Sequence, residues 1–239
     1  MKILRIIMVF ASEGILLAAC SKKDTTPAIT YKSPAAAHTI TIPAGLQTQA
    51  TNNNYNALEA VTYMSIANGL GTYSSFFTLP SGENTAATSN GAVYSWSYSG
   101  VSEWMTYSVL SDKYTWTYEW KTPDLDRFTY ISAQEAKDGS SGSWAIYDPS
   151  TASHPAIWDY SWTLTGTVFT STVNAYNAGS VTEKYVTTDN GNNSGKFQLF
   201  EGTVKKVEII WNSDGTGTWW FAGDGSNPAT NGSWTASGK

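Results

Sequence analysis

The run Tyr114-Thr115-Trp116-Thr117-Tyr118-Glu119-Trp120 limits most strongly what this chain folds into. Aromatic rings alternate with short or polar side chains, and successive side chains of a strand point to opposite faces. As a strand, the run places Tyr114, Trp116, Tyr118 and Trp120 on one face and Thr115, Thr117 and Glu119 on the other. Two sister stretches repeat the arrangement. Tyr94, Trp96 and Tyr98 are backed by Ser95, Ser97 and Ser99, and Trp158, Tyr160, Trp162 and Leu164 are backed by Asp159, Ser161 and Thr163. Backs this polar face water, so the rings point inward.

The same period continues along the chain. Residues 92–99, 103–110, 113–121, 127–136, 143–148, 156–164, 168–175, 181–188, 196–201, 204–212, 217–222 and 233–236 read as strands with short links. Turn pairs fall between several of them: Asn90-Gly91, Asp138-Gly139, Asn190-Gly191, Asp214-Gly215 and Asn231-Gly232. Eleven Trp and fourteen Tyr with only 14% charged residues fit such a pleated framework. The expected fold class is mainly β: one long antiparallel meander, as a half-barrel, barrel or sandwich, with one N-terminal helix packed on it.

That helix is expected at about residues 53–68, capped by Asn53 or Asn54 and ended at Asn68-Gly69. Leu58, Val61 and Met64, extended by Tyr55 and Ala67, form its apolar stripe. Residues 39–42 read as a short edge strand before Pro43, and 81–90 as a loop. Tyr73, Phe76 and Phe77 plug one end of the core. A degenerate repeat is also visible. Ser141-Gly142-Ser143-Trp144 begins a segment matched by Ser194-Gly195-Lys196-Phe197, Trp162 to Thr167 parallels Trp211 to Thr216, and Asn231-Gly232-Ser233-Trp234 opens a further unit. The repeat is about 50 residues long, but two clear copies are too few for a propeller, which favours a continuous meander.

Residues 1–20 have the form of a secretory signal, with Lys2 and Arg5 before a largely apolar stretch interrupted by Glu13. The stretch ends Leu17-Ala18-Ala19-Cys20, which resembles the lipobox of bacterial lipoproteins. That resemblance implies cleavage before Cys20, lipidation of Cys20 and a membrane partner held through the lipid. Ser21 after the cysteine implies outer-membrane localisation, facing the periplasm or the cell surface. Residues 21–38, with Pro27 and Pro34, read as a flexible tether, and 39–239 as a single β-rich domain. A helix leading into a long meander resembles periplasmic lipoprotein carriers and their outer-membrane receptors. The Asp214–Thr218 run with Trp219 looks like segments of lipocalin-like lipoproteins.

Without Lys2, Arg5 and Glu13, 12 basic and 18 acidic side chains remain, a net charge near −6. No basic stripe interleaves with aromatics, so nucleic acid is not an expected partner. The one basic pair of the folded part, Lys205-Lys206, suits a solvated strand edge. Cys20 is the single cysteine, so no intrachain disulfide forms.

No catalytic residues, metal ligands or cofactor are assigned. His38 and His154 have no partner at zinc-ligand spacing, and no Gly-x-Ser-x-Gly elbow occurs. Asp124 and Asp126 suit a solvated loop better than the paired carboxylates of a glycosidase. The candidate ligand-binding residues are Trp96, Tyr98, Trp116, Tyr118, Trp120, Trp158, Tyr160 and Trp162. Their rings either fill a closed core or line an open groove, because indole and phenol groups are costly to bury without partners. The open form makes the chain a non-enzymatic binder of an amphipathic or lipid-like ligand, or of a glycan. The closed form makes it a structural or partner-binding domain. A glycosidase is the fourth alternative.

Overall fold

The computed structural model describes residues 29–35, 38–70 and 72–238. The expected signal peptide, Cys20 and the first part of the tether lie outside the described residues. The strands are β1 (Asn84–Thr88), β2 (Gly91–Tyr98), β3 (Val101–Val109), β4 (Lys113–Thr122), β5 (Leu125–Ala136), β6 (Ser141–Tyr147) and β7 (Ala156–Thr165). They continue as β8 (Val168–Asn177), β9 (Ser180–Asp189), β10 (Gly195–Glu201), β11 (Val204–Trp211), β12 (Gly217–Phe221) and β13 (Thr230–Trp234). Each pairs antiparallel with the next, so one sheet runs in chain order from β1 to β13. Its two edges do not meet, and the sheet stays open.

Local chemistry explains the hairpins. Asp138 Oδ1 accepts the Ser140 N–H at 2.9 Å, and Asp214 Oδ1 accepts the Thr216 N–H at 3.0 Å. Each carboxylate closes a turn over a glycine at positive φ, 70° at Gly139 and 83° at Gly215. Asn231-Gly232 is different. Gly232 lies inside β13, where an added Cβ would stand 2.3 Å from the Trp219 ring. Gly142 seats Trp162 in the same way, Gly195 seats Trp211, and Gly217 seats Trp234. The repeated Gly segments are therefore seats for indoles from neighbouring strands, a cross-strand device that restores packing where glycine has no side chain.

The helical cover comes from the chain before β1 and lies on the aromatic face. Helix α1 (Ala44–Thr51), which the sequence reading does not anticipate, precedes α2 (Tyr55–Leu70) and a 3-10 helix (Thr72–Phe77). Asn54 caps α2, its Oδ1 accepting the Ala57 N–H at 3.1 Å. The expected stripe is only partly the buried face: Met64 is buried and Val61 and Ala67 pack against the core, but Tyr55 is 75% and Leu58 50% exposed, and Ala57 and Ala60 are buried in their place. Small side chains let α2 come close to strands whose inward residues include Phe197, Trp211 and Phe221. A stripe of large residues would hold it off.

Three local readings also change. Residues 39–42 form no strand; Ile40 exchanges hydrogen bonds with the Asn68 side chain at 2.8 and 3.0 Å. Within 81–90 lies the fully exposed edge strand β1. Lys205 and Lys206 sit on the interior strand β11, paired with Glu208 at 3.0 Å and Glu201 at 3.2 Å.

The core has two parts on one face. Under α1 and α2 it gathers Phe197, Ile209, Trp211, Trp219 and Trp234; under the 3-10 helix it gathers Met105, Tyr107, Trp116, Ile131 and Trp144. Burial pushes the Tyr160 phenol up to about 12 and raises those of Tyr31, Tyr73 and Tyr185 as well. The unfolded chain loses its phenol protons first, near the ordinary value of about 10. The stabilisation is therefore complete below about pH 10 and is lost as pH rises towards the folded values. Alkaline unfolding followed by circular dichroism should coincide with the appearance of tyrosinate absorbance. A tyrosinate signal complete before unfolding starts would contradict this.

Candidate functional site

The inward wall is occupied along its centre by the chain's own N-terminal segment. Residues 29–35, within the stretch read as a tether, lie against the sheet. Tyr31 packs edge-on against Tyr94 and Tyr107, with centroids 5.4 and 5.2 Å away, and its hydroxyl donates to the Phe77 carbonyl. The Trp116 indole N–H donates to the Lys32 carbonyl at 2.8 Å. Glu135, only 3% exposed, accepts from Lys32 Nζ at 2.8 Å and from the Ala35 N–H at 2.7 Å. A buried carboxylate needs such partners. This segment is a strap that satisfies polar groups of the wall. Three indole N–H groups, those of Trp120, Trp144 and Trp219, are buried without an acceptor.

The eight candidate residues therefore divide. Trp116 and Tyr160 are buried in the core, beneath the strap and the 3-10 helix. Trp158 and Trp162 are half-buried at its margin, with Trp158 stacked on Tyr185 at 6.4 Å and Trp162 on Phe169 at 6.0 Å. Trp96, Tyr98, Tyr118 and Trp120 gather at the far end of the wall, beyond the strap's contacts. There Trp96 and Tyr118 lie 6.1 Å apart, and Trp120 stacks on Tyr130 at 4.5 Å. Tyr98 is 55% and Phe76 43% exposed.

Glu103 is the residue at this end that the aromatic pattern hid. It is the inward-facing residue of β3 opposite both Trp96 and Trp120. Its Oε2 accepts the Trp96 indole N–H at 2.5 Å and the Tyr118 hydroxyl at 2.6 Å. Burial raises the Tyr118 phenol well above its ordinary value, and the bond to Glu103 adds to the rise. The available signal was the parity of β3. Val101, Glu103, Met105, Tyr107 and Val109 share one face, so a carboxylate interrupts an otherwise apolar row.

The opposite face has its own relief. A depression of 530 Å³ opens over β4 to β7, lined by side chains of Thr115, Thr117, Ser132, Gln134, Ser143 and Asp159, among others. A second, of 540 Å³, shares Thr117, Ser132 and Tyr147 with it and extends to Arg127 and His154. His154 adopts φ +41°; its Nδ1–H donates to the Asp148 carbonyl at 2.8 Å, and its ring stacks on Phe128 at 4.5 Å. His38 lies elsewhere, against Asp189 at 2.9 Å and stacked on Phe169 at 4.0 Å. Among the described residues no group of three or more His, Cys, Asp or Glu could hold a metal ion. Nor is any described helix long and apolar enough to cross a membrane. No protein-family model matches the chain, and no curated protein matches it.

Proposed function

We propose that this protein is a non-enzymatic lipoprotein, anchored to the outer membrane through Cys20, that takes an amphipathic ligand at the open end of its aromatic wall. The observation that carries the reading is the Glu103 carboxylate set among the partly buried rings of Trp96, Tyr118 and Trp120 and the exposed ring of Tyr98. Aromatic surface there removes apolar area from water, and the carboxylate accepts from a hydroxyl or amine of the same molecule. A cationic head gains further from the ring faces. A pure acyl chain has no use for the carboxylate. With its centre held by the strap, the wall suits a compact ligand with one polar end better than a long buried chain.

Native mass spectrometry of the purified full chain tests this. A retained amphipathic species is expected, and Glu103→Gln with Trp96→Ala should reduce its occupancy about tenfold or more. A clean apo mass, after incubation with membrane extract as well, would overturn the reading.

A further inference from the structure

The two depressions on the outward face form a second surface, independent of the aromatic wall. They share Thr117, Ser132 and Tyr147, so they make one continuous trough. Its floor is built from short side chains at paired positions: Thr117 opposite Ser132, Thr115 opposite Gln134, Ser132 opposite Ala145, and Ser143 opposite Ser161. Short residues here leave a hollow in the middle of an exposed sheet, where long side chains would fill it.

Charge and backbone narrow the occupant. Arg127 is held by Glu119 through two bonds, at 3.1 and 2.6 Å, and lies over the Trp104 ring. Asp159 accepts from Asn174 at 2.8 Å and from the Tyr176 hydroxyl. Arg127 and Asp159, the charged side chains of the lining apart from His154, are thus answered within the protein, and Lys113 at the margin donates to the Gln134 amide oxygen at 2.9 Å. The strands beneath, β4 to β7, are interior strands paired on both sides, so an extended peptide finds no free ladder to join. The floor itself is a row of uncharged hydroxyls, those of Thr115, Thr117, Ser132, Ser143 and Ser161, with the Gln134 amide bridging Lys113 and Ser143 at 2.9 and 3.1 Å. Where the two depressions meet stands the Tyr147 ring, its hydroxyl 3.0 Å from Ser132 Oγ, and beyond it His154, held by its bond to Asp148 and its stack on Phe128. With Nδ1 donating, Nε2 of the neutral ring is an acceptor.

We propose that this trough binds a neutral oligosaccharide lying across β4 to β7. Ring hydroxyls of the sugar exchange hydrogen bonds with the serine and threonine floor, and Tyr147 offers an aromatic face to a C–H face. Neighbouring strands are about 4.8 Å apart, so crossing four of them spans about 14 Å, room for several sugar units.

The test is calorimetric titration of the full chain, purified in a detergent without a sugar headgroup, with cellohexaose, maltohexaose, mannohexaose, xylohexaose and chitohexaose. At least one is expected to bind. Ser143→Arg and Ser161→Arg, which fill the floor from the solvent side, should each weaken that binding about tenfold or more. Thr218→Arg, on the same face but at β12, should leave it unchanged, and thermal melts of all three should match the parent. No binding by any of the five sugars, or binding that survives both floor substitutions in folded protein, would overturn the proposal.

Discussion

Replacing Gly217 by valine is expected to cost the protein more than about 3 kcal/mol, the upper range of overpacking in a rigid core. A Cβ at this position would lie 2.1 Å from Trp234 Cζ2, 2.3 Å from Cη2 and 2.4 Å from the Ile210 carbonyl oxygen. Relief on one side worsens the clash on the other. Trp234 is only 2% exposed and is fixed by its indole N–H, which donates to the Gly215 carbonyl at 2.9 Å. Trp234 also stacks on Trp219, with centroids 5.9 Å apart and planes 5° from parallel, so its displacement spreads to a second indole and to the Gly232 seat beneath that. Urea unfolding followed by tryptophan fluorescence measures the loss. Gly69→Ala is the contrasting substitution. Its Cβ meets open space within α2, and helix propensity predicts a gain of about 0.5–1 kcal/mol. Equal behaviour of the two variants would show that glycine content, rather than the indole seat, sets the effect.

Trp116→Ala is expected to destabilise the fold by about 3–5 kcal/mol, the range for truncating a fully buried large aromatic. Trp116 is 1% exposed and lies within 6.3 Å of Phe77, 5.8 Å of Tyr107 and 6.1 Å of Tyr114, measured between ring centroids. The substitution also removes the donor to the Lys32 carbonyl. The strap should therefore loosen before the sheet does. Hydrogen exchange resolves the two effects: amides of residues 29–35 should lose protection first, while those of β10 to β12, packed under α1 and α2, keep theirs. A loss below about 1 kcal/mol would mean that the centre of the wall is not core at all.

The face on which each ring lies was legible from the sequence, and the reason is local. Alternation is a property of one strand, so Trp116 faces inward and Thr117 outward whatever the partners are. The meander order was legible for a related reason, since short links with Asp-Gly and Asn-Gly pairs leave adjacent strands little choice but to pair. The phase of α2 was legible only in its second half, at Val61, Met64 and Ala67. Leu58 has the more hydrophobic side chain, yet Ala57 and Ala60 face the sheet, because the width left beside Phe197 and Trp211 decides which residues fit. Glu103 escaped notice for the opposite reason. Its parity was readable, but its partners, Trp96 on β2 and Tyr118 on β4, appear only when three strands are set side by side.

Residue order alone left an open choice: a mainly β meander with one aromatic and one polar face, and a leader whose form implies lipidation at Cys20. Tertiary structure decided what covers the aromatic face. Tyr31 reaches Tyr94, Lys32 reaches Glu135, and Phe77 reaches Trp116, contacts between residues distant in the chain. Such contacts depend on shape and on which buried polar groups need partners, and neither is written in the period of a strand. The Tyr114–Trp120 strand is accordingly core at Trp116 and partly buried at Trp120, with Glu103 among the rings at that end.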